Sequence, residues 1–96
     1  MGKVVLISGR VTTDTSGQMR NKLGDALRLK PDTVTIDLSG VDYVDTSGLA
    51  TLIEAMRIAR RQDTQLVLRG VREQPRYLLK VTNLDRMFPI EEEAKP

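Results

Sequence analysis

This chain of 96 residues contains no histidine and no cysteine. The two absences exclude imidazole general bases, thiol nucleophiles, disulfides and the common zinc sites. No apolar run approaches the roughly 20 residues that span a bilayer, and the apolar stretch near the N-terminus is too short for a signal peptide. We therefore expect one small cytoplasmic domain with a single core and with no metal or cofactor.

Aromatic residues and net charge are also low. The chain has two tyrosines and one phenylalanine, and its 15 basic and 13 acidic residues leave a net charge of +2. Arg57, Arg60 and Arg61 form a basic cluster where a helix is expected to end, and cations there complement the helix dipole. Because a nucleic-acid surface would need aromatic platforms beside such a cluster, we interpret it as a solvated helix end.

The apolar periodicity switches several times between two residues and three to four, which is typical of alternating strands and helices. It predicts strands at residues 3–7, 34–38, 65–69 and 86–90, with helices between them. About a dozen residues fill each crossover, which favours an α/β fold with parallel neighbouring strands and helices packed on the sheet. Residues 91–96 are expected to form an acidic C-terminal tail.

Turn and capping residues indicate where these elements end. Ser8-Gly9-Arg10 predicts a bulge or a turn, and Ser39-Gly40 is expected to break the second strand. The segment 15–18 has the spacing of a capping box for the first helix, which Pro31 closes. Asn83 tolerates the left-handed conformation that ends a helix, so it is expected to stop the third one.

The most informative segment, residues 34–49, joins the second strand to the second helix. An alternating strand passes through a polar turn, and Thr46 and Ser47 stand where the apolar-periodic helix begins. Backbone N–H groups are unpaired at a helix start and the helix dipole is positive there, so a hydroxyl at this point can cap the helix or carry a phosphate. The residues alone leave both interpretations open.

Enzyme motifs at this junction are incomplete. The order Asp45-Thr46-Ser47-Gly48 interrupts the Asp-Thr-Gly motif of aspartic proteases, and neither common nucleotide-binding glycine motif occurs in the chain. A nucleophilic serine would need a base within reach, but the chain has neither histidine nor a Ser-x-x-Lys motif. We therefore expect no enzymatic activity and no catalytic residues.

Three segments, at residues 38–49, 66–71 and 78–84, together resemble the STAS domain of anti-sigma factor antagonists. The resemblance covers residues 4–90 and implies a single STAS-like domain at residues 1–90, with a four- to five-stranded mixed or parallel sheet and three to four flanking helices. It also implies that the unphosphorylated chain binds an anti-sigma factor that is a serine kinase. Phosphorylation of Ser47 would end this binding, because a phosphate adds roughly −1.5 to −2 charges beside Asp45.

The same resemblance places a partner-binding surface around the junction. Gly48 would allow a close approach of the backbone, whereas Leu49, Leu52, Ile53 and Met56 have the spacing of a helix face in the core. The predicted partner-binding residues are Asp42, Tyr43, Asp45, Thr46, Ser47, Gly48, Leu49 and Thr51.

Two features depart from the antagonist pattern. Antagonists normally open with a two-stranded hairpin, but few residues precede Val11 here, so we expect a missing or reduced first strand and a sheet edge that is exposed or paired with a partner. The continuation Leu49-Ala50-Thr51 resembles instead the cytoplasmic STAS subunit of Mla-type phospholipid-transport ABC complexes. In that branch the important hydroxyl follows the aspartate directly and the partner is an ATPase subunit, which makes Thr46 the alternative site to Ser47.

Overall fold

Helices alternate with the strands of a parallel sheet in the computed structural model, which describes residues 1–91. The strands are β1 (Gly2–Val11), β2 (Thr33–Val44), β3 (Gln65–Arg69) and β4 (Ile90–Glu91), and the helices are α1 (Ser16–Arg28), α2 (Thr46–Arg61) and α3 (Glu73–Val81), followed by a 3-10 turn at Leu84–Arg86. The strands pair in the order β1-β2-β3-β4, and every pair is parallel. The expected α/β fold class is confirmed.

One face of the sheet forms the core with α1 and α2. The buried side chains on this face come from alternate strand positions and include Val5, Ile7, Val34, Ile36, Leu38, Leu66 and Leu68. The apolar residues of α1 recur at the spacing of one helix face and are buried, and so are Leu49, Leu52 and Met56 of α2. The residues of α1 on this face are Met19, Leu23, Ala26 and Leu27. Ile53, which was also expected in the core, is half-exposed, because it lies on the outward side of α2.

The opposite face of the sheet has no buried side chain among the strand residues of the described chain. Val4 and Leu6 of β1 are 53% and 65% exposed on this face. On β2 and β3 an ion pair joins Asp37 Oδ2 to Arg69 Nη2 at 2.9 Å. Parallel sheets are usually covered on both faces, so an uncovered one is unusual.

β2 continues to Val44, so the expected break at Ser39-Gly40 is wrong. The successive partners across β1 and β2 are Leu6 with Asp37, Ser8 with Gly40, and Arg10 with Tyr43. In each interval β2 has one residue more than β1, which is the geometry of a bulge. The carboxylate of Asp37 accepts hydrogen bonds from Ser39 N at 2.9 Å and Ser39 Oγ at 2.6 Å. These bonds accommodate the extra polar residue without ending the strand.

The start of α1 also differs from the expected capping box. Thr15 makes no side-chain cap to the helix. Its Oγ1 instead donates to Arg10 O at 2.6 Å and accepts from Thr12 N at 2.9 Å. The threonine therefore closes the turn that leads out of β1, and its hydroxyl is no longer available to the first turn of the helix.

The last predicted strand is mostly a turn. Asn83 has the expected left-handed conformation, with φ of 61°, and the chain then makes the 3-10 turn rather than extending. β4 is limited to Ile90 and Glu91, and Glu91, which was assigned to the tail, pairs with Arg69. The remainder of the predicted tail, residues 92–96, lies outside the described residues.

Candidate functional site

The junction between β2 and α2 lies at the carboxyl end of the sheet. Val44 pairs with Val11 at the ends of β2 and β1, and Asp45 N then donates to Val11 O at 3.0 Å. In open parallel sheets, binding sites gather at this end, because the loops that follow the strands meet there. The register of β1 and β2 therefore sets the position of the hydroxyl pair.

Asp45 is the N-cap of α2 and the central acceptor of the site. Its Oδ1 accepts from Ser47 N at 2.9 Å, Gly48 N at 3.3 Å and Ser47 Oγ at 2.5 Å, and its Oδ2 accepts from Thr13 N at 3.2 Å. The hydroxyl of Ser47 above all, with help from these backbone N–H groups, holds the pKa of Asp45 below its ordinary value. The cap is thus the aspartate, and the interpretation of either hydroxyl as the cap is wrong.

The two hydroxyl residues occupy different environments. Thr46 is exposed, whereas Ser47 is half-buried and donates its Oγ–H to Asp45. Thr51, one turn further along α2, is buried and donates from its Oγ1 to Ser47 O at 3.0 Å. The site therefore presents one free-standing hydroxyl and one that is fixed by its neighbours.

Gly48 is required by the packing of α2 on the ends of two strands. A Cβ at this position would lie 2.6 Å from Val44 Cγ1 and 2.9 Å from Val11 Cγ1. Both neighbours are β-branched valines with little rotamer freedom. The close approach that was predicted for Gly48 therefore exists, but it is to the core of the same chain.

Gln74, at the start of α3, is a site residue that the sequence did not indicate. Its Oε1 accepts from Val44 N at 2.8 Å, and its Nε2 donates to Val44 O at 2.9 Å. β3 pairs with β2 only as far as Asp37, so this amide takes the place of a neighbouring strand beside the last residue of β2. A glutamine in a helical first turn carries no pattern that points to a partner 30 residues earlier.

The predicted partner-binding residues divide into a surface group and a supporting group. Asp42 and Thr46 are exposed, and Tyr43 is half-buried beneath the guanidinium of Arg10, 4.4 Å from the ring centroid. Gly48, Leu49 and Thr51 are buried, so they support the junction from within. The surface continues from Thr46 along α2 through Ala50, which is exposed, and Ile53, which is half-exposed. Helical periodicity predicts Ile53 in the core and gives no indication for Ala50.

Comparison with known proteins gives the family. A family profile described as "Mlab, STAS domain" matches residues 2–90. The chain belongs to the STAS family. Across residues 1–91, no helix of this STAS chain is both long and apolar enough to cross a bilayer.

Two curated relatives have different names and cover different shares of this chain. The intermembrane phospholipid transport system binding protein MlaB of Escherichia coli (strain K12) is 43% identical over 49 residues, which cover 51% of this chain and 50% of MlaB. The match therefore spans about half the length of MlaB. The anti-sigma-B factor antagonist of Listeria monocytogenes is 26% identical over 87 residues, covering 90% of this chain and 75% of the relative.

A solved structure supports the fold. The anti-sigma factor antagonist SpoIIAA in its unphosphorylated form superposes with a TM-score of 0.79 at 16% sequence identity, covering 96% of this chain and 79% of that chain. The resemblance to STAS antagonists that the sequence indicated is confirmed.

Gly48→Ala should destabilise the domain, because the added methyl cannot be accommodated beside the two valines. We expect the free energy of unfolding to fall by about 1–3 kcal/mol in urea titrations. Gly24→Ala on α1 is the matched control, since a Cβ there meets no atom within 4 Å, and it should leave stability unchanged or raise it by up to about 1 kcal/mol. Equal effects of the two substitutions would contradict this account of Gly48.

Asp45→Asn should lower stability at neutral pH and lose this effect in acid. The pKa of Asp45 is depressed in the folded state, so its carboxylate stabilises the fold above the unfolded pKa, about 3.9, and this contribution disappears as the pH falls through the lower folded pKa. The difference in unfolding free energy between wild type and Asp45→Asn should therefore shrink as the pH is lowered. A difference that stays constant down to pH about 2 would contradict the assignment.

Proposed function

We propose that this chain is a non-enzymatic anti-sigma factor antagonist whose junction surface binds a serine-kinase anti-sigma factor until Ser47 is phosphorylated. The observation that carries the proposal is the hydrogen bond from Ser47 Oγ to Asp45 Oδ1 at the start of α2. It places a serine hydroxyl at a helix N-terminus, where backbone N–H groups favour an anion. The Listeria relative, which is named as an antagonist, matches this chain along most of its length.

The proposed contact surface combines polar and apolar side chains. Asp42 and Thr46 are exposed around the junction, and Ala50 and Ile53 follow on the outward side of α2 at spacings of four and three residues. The buried Thr51 fixes the first turn beneath them. A partner that covers Thr46 and Ile53 would enclose the neighbouring Ser47, which makes the interface sensitive to a change at that hydroxyl.

Phosphorylation would convert an attraction inside the site into a repulsion. The hydroxyl proton that Ser47 donates to Asp45 is lost when its Oγ becomes a phosphoester oxygen, and the dianion faces the carboxylate. Both anions then compete for the N–H groups of Ser47 and Gly48. If the phosphate displaces the carboxylate of Asp45, Thr13 N loses its acceptor as well. The helix start can hold the phosphate, so the domain stays folded while the partner meets added negative charge.

The alternative function is that of a STAS subunit in an Mla-type phospholipid-transport ABC complex. Two observations favour it: Thr46 is exposed without any rearrangement, and the local identity to MlaB is higher than that to the antagonist. In this case Thr46 contacts an ATPase subunit and Ser47 remains a structural donor to Asp45. Both functions place the chain in the cytoplasm.

The antagonist proposal predicts one phosphate, on Ser47, after incubation with ATP and a cognate serine-kinase anti-sigma factor. Mass spectrometry of peptides should locate it there, with none in Ser47→Ala. Thr46→Ala is the control for the position of the phosphate: it removes the adjacent hydroxyl, and although it also changes the proposed contact surface, any phosphate that it acquires should still be on Ser47. Binding to the kinase without modification, or a phosphate that persists in Ser47→Ala, would contradict the switch.

Partner binding should separate the two functions. For an antagonist, Ser47→Asp places a carboxylate opposite Asp45 and should weaken binding to the anti-sigma factor at least about tenfold in calorimetric titrations, while its circular dichroism stays that of the wild type. For a transport subunit, Thr46→Ala should weaken binding to the ATPase subunit and Ser47→Ala should not. An antagonist whose Ser47→Asp variant keeps full affinity would disprove the electrostatic account.

A further inference from the structure

β1 forms an edge of the sheet, and its outer side is open. Among the described strands, only β2 pairs with it. Alternate residues of a strand direct their N–H and C=O groups to opposite sides. Met1 O accepts from Asp32 N, which precedes β2, whereas Leu6 O accepts from Lys22 Nζ of α1 and so points away from β2. Gly2, Val4 and Leu6 therefore direct their backbone groups outward.

Apart from the bulged intervals that begin at Leu6, this edge lacks most of the devices by which proteins prevent strands from pairing. Residues 2–8 contain no proline, and Lys3 is their only charged residue. Edge strands usually carry charges, prolines or strong bulges because an open edge otherwise pairs with another strand. Val4 and Leu6 are also among the most exposed large apolar side chains of the molecule, and they lie on the uncovered face of the sheet. Both the backbone and the side chains of this segment are thus available to a partner.

We propose that this edge binds β1 of a second copy, in antiparallel orientation about a two-fold axis at Val5. In this register Val4 faces Leu6 of the other copy, and Gly2 faces Ser8, so every outward backbone group meets an outward group. Lys3 faces an isoleucine, Ile7, rather than another lysine. The exposed apolar residues cover each other, and no like charges meet. Two four-stranded sheets become one continuous sheet of eight strands.

Lys22 is the only described side chain that engages the outer backbone of this segment. Its Nζ lies 3.3 Å from Leu6 O, and the contact is exposed. A bond of this length in water contributes little, and in the dimer a backbone N–H of Val4 from the other copy replaces it. The contact therefore opposes pairing only weakly.

Sedimentation equilibrium between about 1 and 100 µM tests the proposal on the full chain. Wild type should dimerise, and Val4→Lys/Leu6→Lys should weaken the dimer about tenfold or more, since lysines then face each other. Val4→Glu/Leu6→Lys should restore it, because each glutamate faces a lysine in the Val5-centred register. Val81→Lys, which changes an exposed apolar residue of α3 (54% exposed), is the matched control and should dimerise like wild type.

Every result of these sedimentation measurements either supports or contradicts the proposed β1 dimer. The substituted side chains are exposed, so circular dichroism should show all variants folded. A wild type that remains monomeric at about 100 µM, or a lysine double variant that dimerises as well as wild type, would overturn the proposal. A glutamate–lysine variant no stronger than the double-lysine variant would overturn the register. None of these results depends on the partner of Ser47, so the two proposals fail independently.

Discussion

The Asp45 carboxylate joins the parts of this molecule that form the candidate site. It accepts hydrogen bonds from the backbone of α2 and from the loop after β1, and it also takes the hydroxyl of Ser47. One side chain thereby fixes the first turn of a helix, the position of a loop and the rotamer of a serine. A helix start needs acceptors for its free N–H groups, and here the acceptor is an anion. Any second anion at this point must compete with it.

This arrangement requires that β2 reach the junction in the correct register. The two extra residues of β2 let it follow β1 to Val11 although β3 has ended. Beyond that point the amide of Gln74 replaces the missing neighbour of Val44. The packing of Gly48 against Val11 and Val44 then brings α2 close to the strand ends. The geometry of the hydroxyl pair is therefore a consequence of strand register, more than of the local motif.

Local periodicity predicts the helices and the core strands because the spacing of apolar residues shows which side chains will be buried. The buried stripe of α1 and the strand at residues 65–69 follow from it. The bulges of β2, the role of Gln74 and the turn before β4 do not, since each depends on contacts between distant parts of the chain. The role of Asp45 is only partly predictable. An aspartate before a helix is a common N-cap, but Thr46 and Ser47 beside it are candidate caps too, so the sequence does not single out Asp45.

The two proposed functions depend on different hydroxyl groups, the fixed one of Ser47 and the exposed one of Thr46. They therefore require different changes in the molecule. A partner that contacts Thr46 can bind this surface without any rearrangement. A kinase that modifies Ser47 must first break the hydrogen bond from Ser47 Oγ to Asp45, and the phosphate would then face the carboxylate of Asp45. β1 links this site to the rest of the sheet, with Val11 at the junction and residues 2–8 at the open edge. Antiparallel pairing about Val5 would place the two junctions at opposite ends of the joined sheet, so each copy of the dimer could still bind its own partner.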